Sequence, residues 1–206
     1  MSDQRVSPEN SSGGGDESSS GANAESLYKA PAQKSLQEIL ETDKEDESLV
    51  KYKASLGLGK DAVQVVIDAS NPKNVLVRKL VLVVEGRPDV VMDLCDVNNV
   101  EKKTFTIKEG CQYRLRIEFH VQREIVTGLK YIQKVSRVGV QVDKEEYMLG
   151  SYGPRTEIQS YTTPVEEAPS GMVHRGTYKV KSLFTDDDNH EWLAWQWSLE
   201  IKKDWE

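Results

Sequence analysis

From Gln112 to Val121, hydrophobic and polar residues alternate without a fault. Tyr113, Leu115, Ile117, Phe119 and Val121 fall on one face, while arginines, Glu118 and His120 fall on the other. Successive side chains of a strand point to opposite sides, so this pattern predicts an antiparallel strand buried on one face. The same period-two grammar predicts strands over Val63–Ile67, Leu76–Val84, Thr104–Ile107, Val138–Val142, Thr177–Phe184 and Leu193–Ile201. Turn signals separate them: Asn71-Pro72, Gly86-Arg87-Pro88, Glu109-Gly110, Gly153-Pro154 and Asp186-Asp187-Asp188-Asn189. Seven or so strands without a sustained long helix predict an all-β body over 61–206, a sandwich of immunoglobulin-like type, with a barrel as the alternative.

The last of these strands is unusually bulky. Leu193, Trp195, Trp197, Leu199 and Ile201 share a face opposite Ala194, Gln196, Ser198, Glu200 and Lys202. Two large flat side chains on one inward face either fill a core or wall a slot for an apolar ligand. Alternation alone does not separate the two.

Before about residue 60 the pattern is different. Residues 1–26 carry Ser11-Ser12-Gly13-Gly14-Gly15 and Ser18-Ser19-Ser20-Gly21 and almost no large apolar side chain. Such a segment cannot bury enough surface to offset its chain entropy, so a flexible arm is expected over 1–60. Within it, a helix-loop-helix is predicted over about 35–57. Ser35-Leu36-Gln37-Glu38 has the capping-box form, followed by Ile39 and Leu40. A second helix begins around Asp43 to Asp46, aligns Leu49, Tyr52 and Leu56, and pairs Glu47 with Lys51. Gly57 and Gly59 end it. Both helices are shorter than the ~12–15 residues that isolated helices need in water. Their apolar stripes therefore require a surface, either the protein's own body or a partner.

Charge narrows the partners. The 206-residue chain carries a net charge of −7, and no basic stripe is concentrated enough to predict nucleic-acid binding. Cys95 and Cys111 are too few for a disulfide framework and are expected as thiols, as in a cytosolic protein. No signal peptide, membrane span or lipidation box is recognisable, so stable membrane insertion is not expected.

Catalytic signatures are missing too. His120, His174 and His190 are scattered, and no zinc spacing occurs. Gly57-Leu58-Gly59-Lys60 lacks the strand, the glycine spacing and the hydroxyl residue of a phosphate loop. Asp186-Asp187-Asp188 lacks the Gly and terminal Glu of a calcium loop, and predicts a polar hairpin instead. The chain is predicted to be neither an enzyme nor a cofactor or metal carrier.

Several stretches together resemble one family. They are Tyr28-Lys29-Ala30-Pro31-Ala32-Gln33-Lys34-Ser35 and Asp46-Glu47-Ser48-Leu49 in the arm, and Arg123-Glu124-Ile125-Val126-Thr127-Gly128-Leu129-Lys130-Tyr131-Ile132-Gln133 after the alternating strand. Tyr147-Met148-Leu149-Gly150-Ser151-Tyr152-Gly153-Pro154-Arg155, Thr163-Pro164-Val165-Glu166-Glu167-Ala168-Pro169, Phe184-Thr185-Asp186-Asp187-Asp188 and Ile201-Lys202-Lys203-Asp204-Trp205 follow in order. The set resembles the Rho GDP-dissociation inhibitors over roughly residues 27–206, with Ser55–Lys60 departing in spacing.

The resemblance implies an immunoglobulin-like sandwich whose sheets part to admit a geranylgeranyl tail. Leu82, Phe105, Tyr113, Ile125, Trp195 and Trp197 match the family's lipid slot, with Leu56 closing its mouth. Tyr28, Asp46, Leu49 and Tyr52 match arm positions that clamp the switch regions of a prenylated Rho-family GTPase, preferentially GDP-bound, in a 1:1 complex. Asp143, Glu166, Glu167, Asp187 and Asp188 match acidic contacts to that partner, some of them to its basic tail. The implied function is inhibition of GDP release together with extraction of the GTPase from membranes into the cytosol. A general prenyl-protein shuttle is the alternative, and a plain immunoglobulin-like module with a solid core is a second.

Overall fold

A computed structural model of the chain describes residues 38, 41–42, 45–55, 65–96, 100 and 103–205. The strands follow the alternation where it is clean. They are β1 (Val75–Val84), β2 (Val90–Asp93), β3 (Thr104–Lys108), β4 (Gln112–Val121), β5 (Val126–Arg137), β6 (Val140–Tyr152), β7 (Gln159–Thr162), β8 (Glu166–Glu167), β9 (Gly176–Thr185) and β10 (Leu193–Lys202). One sheet runs β2-β1-β4-β7, with β8 also on β4, and the other runs β3-β10-β9-β5-β6. Among the described residues, only the β3–β10 pairing is parallel. The expected all-β sandwich is present.

Its core lies between the inner faces. Leu115, Ile117, Phe119 and Val121 of β4 are all buried there, with Tyr113 half-buried at the strand's start. In β1 the register shifts between Val77 and Lys79, so the inward set changes from Val75 and Val77 to Leu80 and Leu82. The extra residue of a bulge flips the parity that a strict alternation would keep.

Two expected strands are corrected. Residues 65–67, the described part of Val63–Ile67, are not a strand. A side chain takes backbone amides here instead: Ile67 N and the following Asp68 N both donate to Oε1 of the fully buried Gln122, at 3.0 and 2.9 Å. Gln122 Nε2 in turn donates to the Lys73 carbonyl at 2.7 Å. With its amide spent this way, Gln122 substitutes for a ladder. Val138–Val142 is also displaced. Val138 sits in the hairpin turn at φ 50, and the strand begins at Val140 and runs on to Tyr152.

Ahead of β1, the described helix is α1 (Glu47–Ser55). Asp46 caps it: Oδ1 accepts from Ser48 N at 2.8 Å and Leu49 N at 3.2 Å. Those donors, Leu49's amide foremost, hold the Asp46 carboxyl below its ordinary value. Glu47 and Lys51 approach to 3.9 Å as the spacing predicts, a fully solvated pair of little energetic weight. Of the earlier helix, Glu38 and Glu41 are helical and Thr42 N bonds the Glu38 carbonyl at 3.0 Å. The remainder of that prediction lies outside the described residues.

Candidate functional site

The two tryptophans of β10 point inward and are buried, and each has different company. Trp197 lies edge-on to Phe105 of β3, with ring centroids 5.3 Å apart. Its indole Nε1 donates to Ser182 Oγ at 2.9 Å. Trp195 stacks on Tyr131 of β5 at 5.8 Å and 19° between planes, and Tyr131 stacks on Tyr147 of β6 at 6.0 Å. Ser182 and the Tyr131 hydroxyl share a further hydrogen bond of 2.9 Å, entirely buried. One serine thus ties Trp197 to Tyr131, and the Tyr131 hydroxyl also donates to Oε1 of the buried Gln133 at 3.3 Å. The Trp195 Nε1–H, by contrast, is buried with no acceptor among the described residues. An orphaned donor of this kind costs about 1–3 kcal/mol.

The opposite wall comes from the other sheet. Leu82 of β1 is fully buried and faces Leu115 across the β1–β4 ladder, two residues from Tyr113 on the same face of β4. Ile125 is half-buried in the turn leading into β5, one residue before the core residue Val126. Leu56 and Tyr28 lie outside the described residues.

At one edge of the sandwich the aromatic layer meets acid. Glu166 of β8 receives both flanking phenols: Tyr113 donates to Oε2 at 2.6 Å and Tyr147 donates to Oε1 at 2.5 Å. Burial foremost, and then the Glu166 carboxylate, push both phenols far above their ordinary range. Glu145 is half-buried, and its carboxyl is raised by burial first and by Asp143 and Glu166 after it. None of these three acids has an ion pair among the described residues. Glu167 is exposed beside Glu166 on β8. The result is an uncompensated negative rim next to an aromatic interior, a setting that favours a cation joined to an apolar group.

The other acidic positions are held differently. Asp186 is buried and accepts from Asp188 N, His190 N, His190 Nδ1 and Trp192 Nε1, all within 3.0 Å, so it organises its own polar turn. Asp187 pairs with Lys130 at 2.7 Å, and Asp188 is half-buried. Asp187 lies against Gly128, where an added Cβ would stand 1.7 Å from Oδ2. Gly128 also has φ +60, a conformation glycine adopts freely. On α1, Leu49 and Tyr52 are exposed.

Sequence reasoning missed Tyr131, Ser182, Tyr147 and Glu145 as members of this site. Tyr131 and Ser182 lie on inward positions of β5 and β9, and their chemistry becomes visible only when the pairing β9-β5-β6 is known.

A family model described as "RHO protein GDP dissociation inhibitor" matches residues 14–204. The chain is 54% identical over 180 residues to Rho GDP-dissociation inhibitor 1 of Homo sapiens, covering 86% of each chain. It is 51% identical over 183 residues to a probable rho GDP-dissociation inhibitor of Caenorhabditis elegans, covering 88% of this chain and 94% of that one. It is also 48% identical over 181 residues to Rho GDP-dissociation inhibitor 3 of Bos taurus, covering 87% of this chain and 79% of that one.

Proposed function

The chain belongs to the Rho GDP-dissociation inhibitor family, and from that premise we propose that it grips one client, a prenylated Rho-family GTPase, at two separate places. The protein is a GTPase regulator and not an enzyme. The body over 61–206 takes the geranylgeranyl tail between its sheets, against Leu82, Phe105, Tyr113, Ile125, Trp195 and Trp197, with Leu56 at the mouth. The arm over 1–60 clamps the switch regions of the GDP-bound form through Tyr28, Asp46, Leu49 and Tyr52, one inhibitor to one GTPase. Asp143, Glu166, Glu167, Asp187 and Asp188 make acidic contacts to the client, some of them to its basic tail.

The observation that carries this reading is the placement of the Glu166 rim directly on the Tyr147–Tyr131–Trp195 stack. A prenylated basic tail needs those two environments side by side. The exposed Leu49 and Tyr52 on a short capped helix support the arm's role. Phe105 and Trp197 are in ring contact, so a lipid enters by parting rings that otherwise fill the layer.

Energetics explains why two contacts are needed. A lipid chain gains ~0.8 kcal/mol per buried methylene, so a long prenyl tail holds to a bilayer by roughly 10 kcal/mol. An apolar slot matches that transfer energy without greatly exceeding it. Net extraction requires a second contact made only with the protein part of the client, and tethering makes the two contacts multiply. Clamped switch loops also retain nucleotide, because its release requires them to open. No described helix is long and apolar enough to cross a membrane, and we assign the complex to the cytosol.

A titration of prenylated and unprenylated client tests the reading. Trp195→Ala and Ile125→Asp are expected to weaken binding of the prenylated form and spare the other. Equal losses for both forms would refute the slot.

A further inference from the structure

The outward face of the β3-β10-β9-β5-β6 sheet carries an unusual row of charge. Lys144 of β6, Lys134 of β5 and Lys181 of β9 stand directly opposite one another across consecutive strands. Lys179 follows on the same face of β9, opposite Ser136. Like charges placed directly across a ladder destabilise it, and the fold gains nothing visible from this arrangement. Glu146 lies 3.9 Å from Lys144, and Glu191 borders the same face. Lys134, Lys179 and Lys181 have no ion pair among the described residues. A chain of net charge −7 therefore gathers four ammonium groups on one sheet face. Beside them lies an open hollow of about 460 Å³, floored by Ile132, Leu183 and Ala194.

The end of the same sheet exposes aliphatic side chains. Val138, at the tip of the β5–β6 hairpin, is 96% exposed, and Val140 beside it is 66% exposed. In the turn before β9, Met172 is 80% exposed and Val173 is 78% exposed. One guanidinium holds these two loops together. Arg137 donates through Nη1 to the Val173 carbonyl and through Nη2 to the Arg175 carbonyl at 2.7 Å, and it lies over the Tyr178 ring at 5.2 Å. The aliphatic tips are thus a braced pair, and Lys134 is four residues from Val138, about 13 Å along the strand.

We propose that this face docks on the surface of an anionic bilayer, with the lysine row against the headgroups and Val138, Val140, Met172 and Val173 dipping into the interface. A basic face with a few solvent-exposed aliphatic groups beside it is the combination that an anionic lipid surface binds. The lysine row spans about 10 Å across three strands, a width suited to an array of headgroups rather than to a single phosphate. The contact needs no client, so it stands or falls separately from the prenyl slot.

Sedimentation of the full chain alone, with vesicles, tests this. Binding to phosphatidylserine-rich vesicles is expected, with little binding to pure phosphatidylcholine and a steep fall as salt is raised. K134Q/K181Q is expected to lower the partition about twenty-five-fold, at roughly fivefold per lysine lost near an anionic surface. V138S/M172S is expected to weaken binding while leaving the salt dependence unchanged. Both substitutions are at outward positions, and unchanged thermal melting confirms that each variant folds. Undiminished binding by K134Q/K181Q, equal binding to neutral vesicles, or no vesicle binding at low salt would overturn the proposal. So would preferential capture by soluble polyglutamate, which would assign the face to an acidic protein partner.

Discussion

The phenol of Tyr147 donates to Glu166 Oε1 at 2.5 Å and so fastens β6 of one sheet to β8 of the other. Tyr113 bonds the second oxygen of the same carboxylate from β4. A hydrogen bond to a charged group contributes ~1.5–3 kcal/mol, so Tyr147→Phe should lower unfolding free energy by about that amount in urea. It should also unfasten the two sheets beside the aromatic stack of the proposed slot. Faster uptake of a geranylgeranylated peptide by Tyr147→Phe, followed by indole fluorescence, is the expected outcome. An unchanged rate would separate this latch from ligand entry.

The paired tryptophans should respond unequally to the same substitution. Trp197→Phe removes the donor to Ser182 and leaves a buried hydroxyl short of a partner. Trp195→Phe removes an N–H that has no acceptor among the described residues. Both lose similar ring area, so Trp197→Phe should destabilise by about 1–2 kcal/mol more than Trp195→Phe. Urea denaturation of the two variants checks the difference, and equal losses would mean that Trp195 finds an acceptor in solution.

Gly128→Ala meets two obstacles. Its φ of +60 costs a residue with a Cβ roughly 1–2 kcal/mol, and the new methyl displaces the Asp187 carboxylate from Lys130. The Lys130–Asp187 pair is partly solvated and worth little by itself. A double-mutant cycle with Asp187→Ala should therefore recover only the steric part of the loss, leaving the backbone part. Full recovery would mean that the φ angle relaxes.

How much of this was legible in the chain depends on local irregularity. β4 has no bulge, and its inward side chains follow alternation throughout. β10 is equally regular, so both tryptophans could be placed on an inward face. β5 hides because its register shifts between Val126 and Leu129 and again between Leu129 and Lys130, which breaks the period where Gly128 bends the strand. β6 hides because it is an edge strand whose outward residues include Met148 and Val142, while its inward ones include Asp143 and Glu145. Its polarity is nearly inverted relative to a strand that packs on a core, and periodicity cannot report a strand whose inner face lines a charged rim. Gln122 escaped for a different reason: a buried amide that replaces a strand ladder has no sequence signature.

That inverted polarity carries a pH consequence. Burial raises the Glu145 carboxyl above its ordinary 4.5, and Asp143 and Glu166 raise it further. The folded state then binds this proton more tightly than the unfolded state does. For such a carboxyl, the penalty is fully present above the folded pKa and disappears as pH falls through it toward the ordinary value. Glu145→Gln should accordingly melt at a higher temperature than the parent at neutral pH, with the gap closing as pH drops below about 4.5. A lysine-rich peptide should shrink the same gap at neutral pH, because a bound cation relieves the repulsion that the substitution removes. Melting curves across that range, with and without the peptide, check both. A gap that persists in acid would trace the effect to packing, and a gap indifferent to the peptide would mean that the rim does not hold a basic tail.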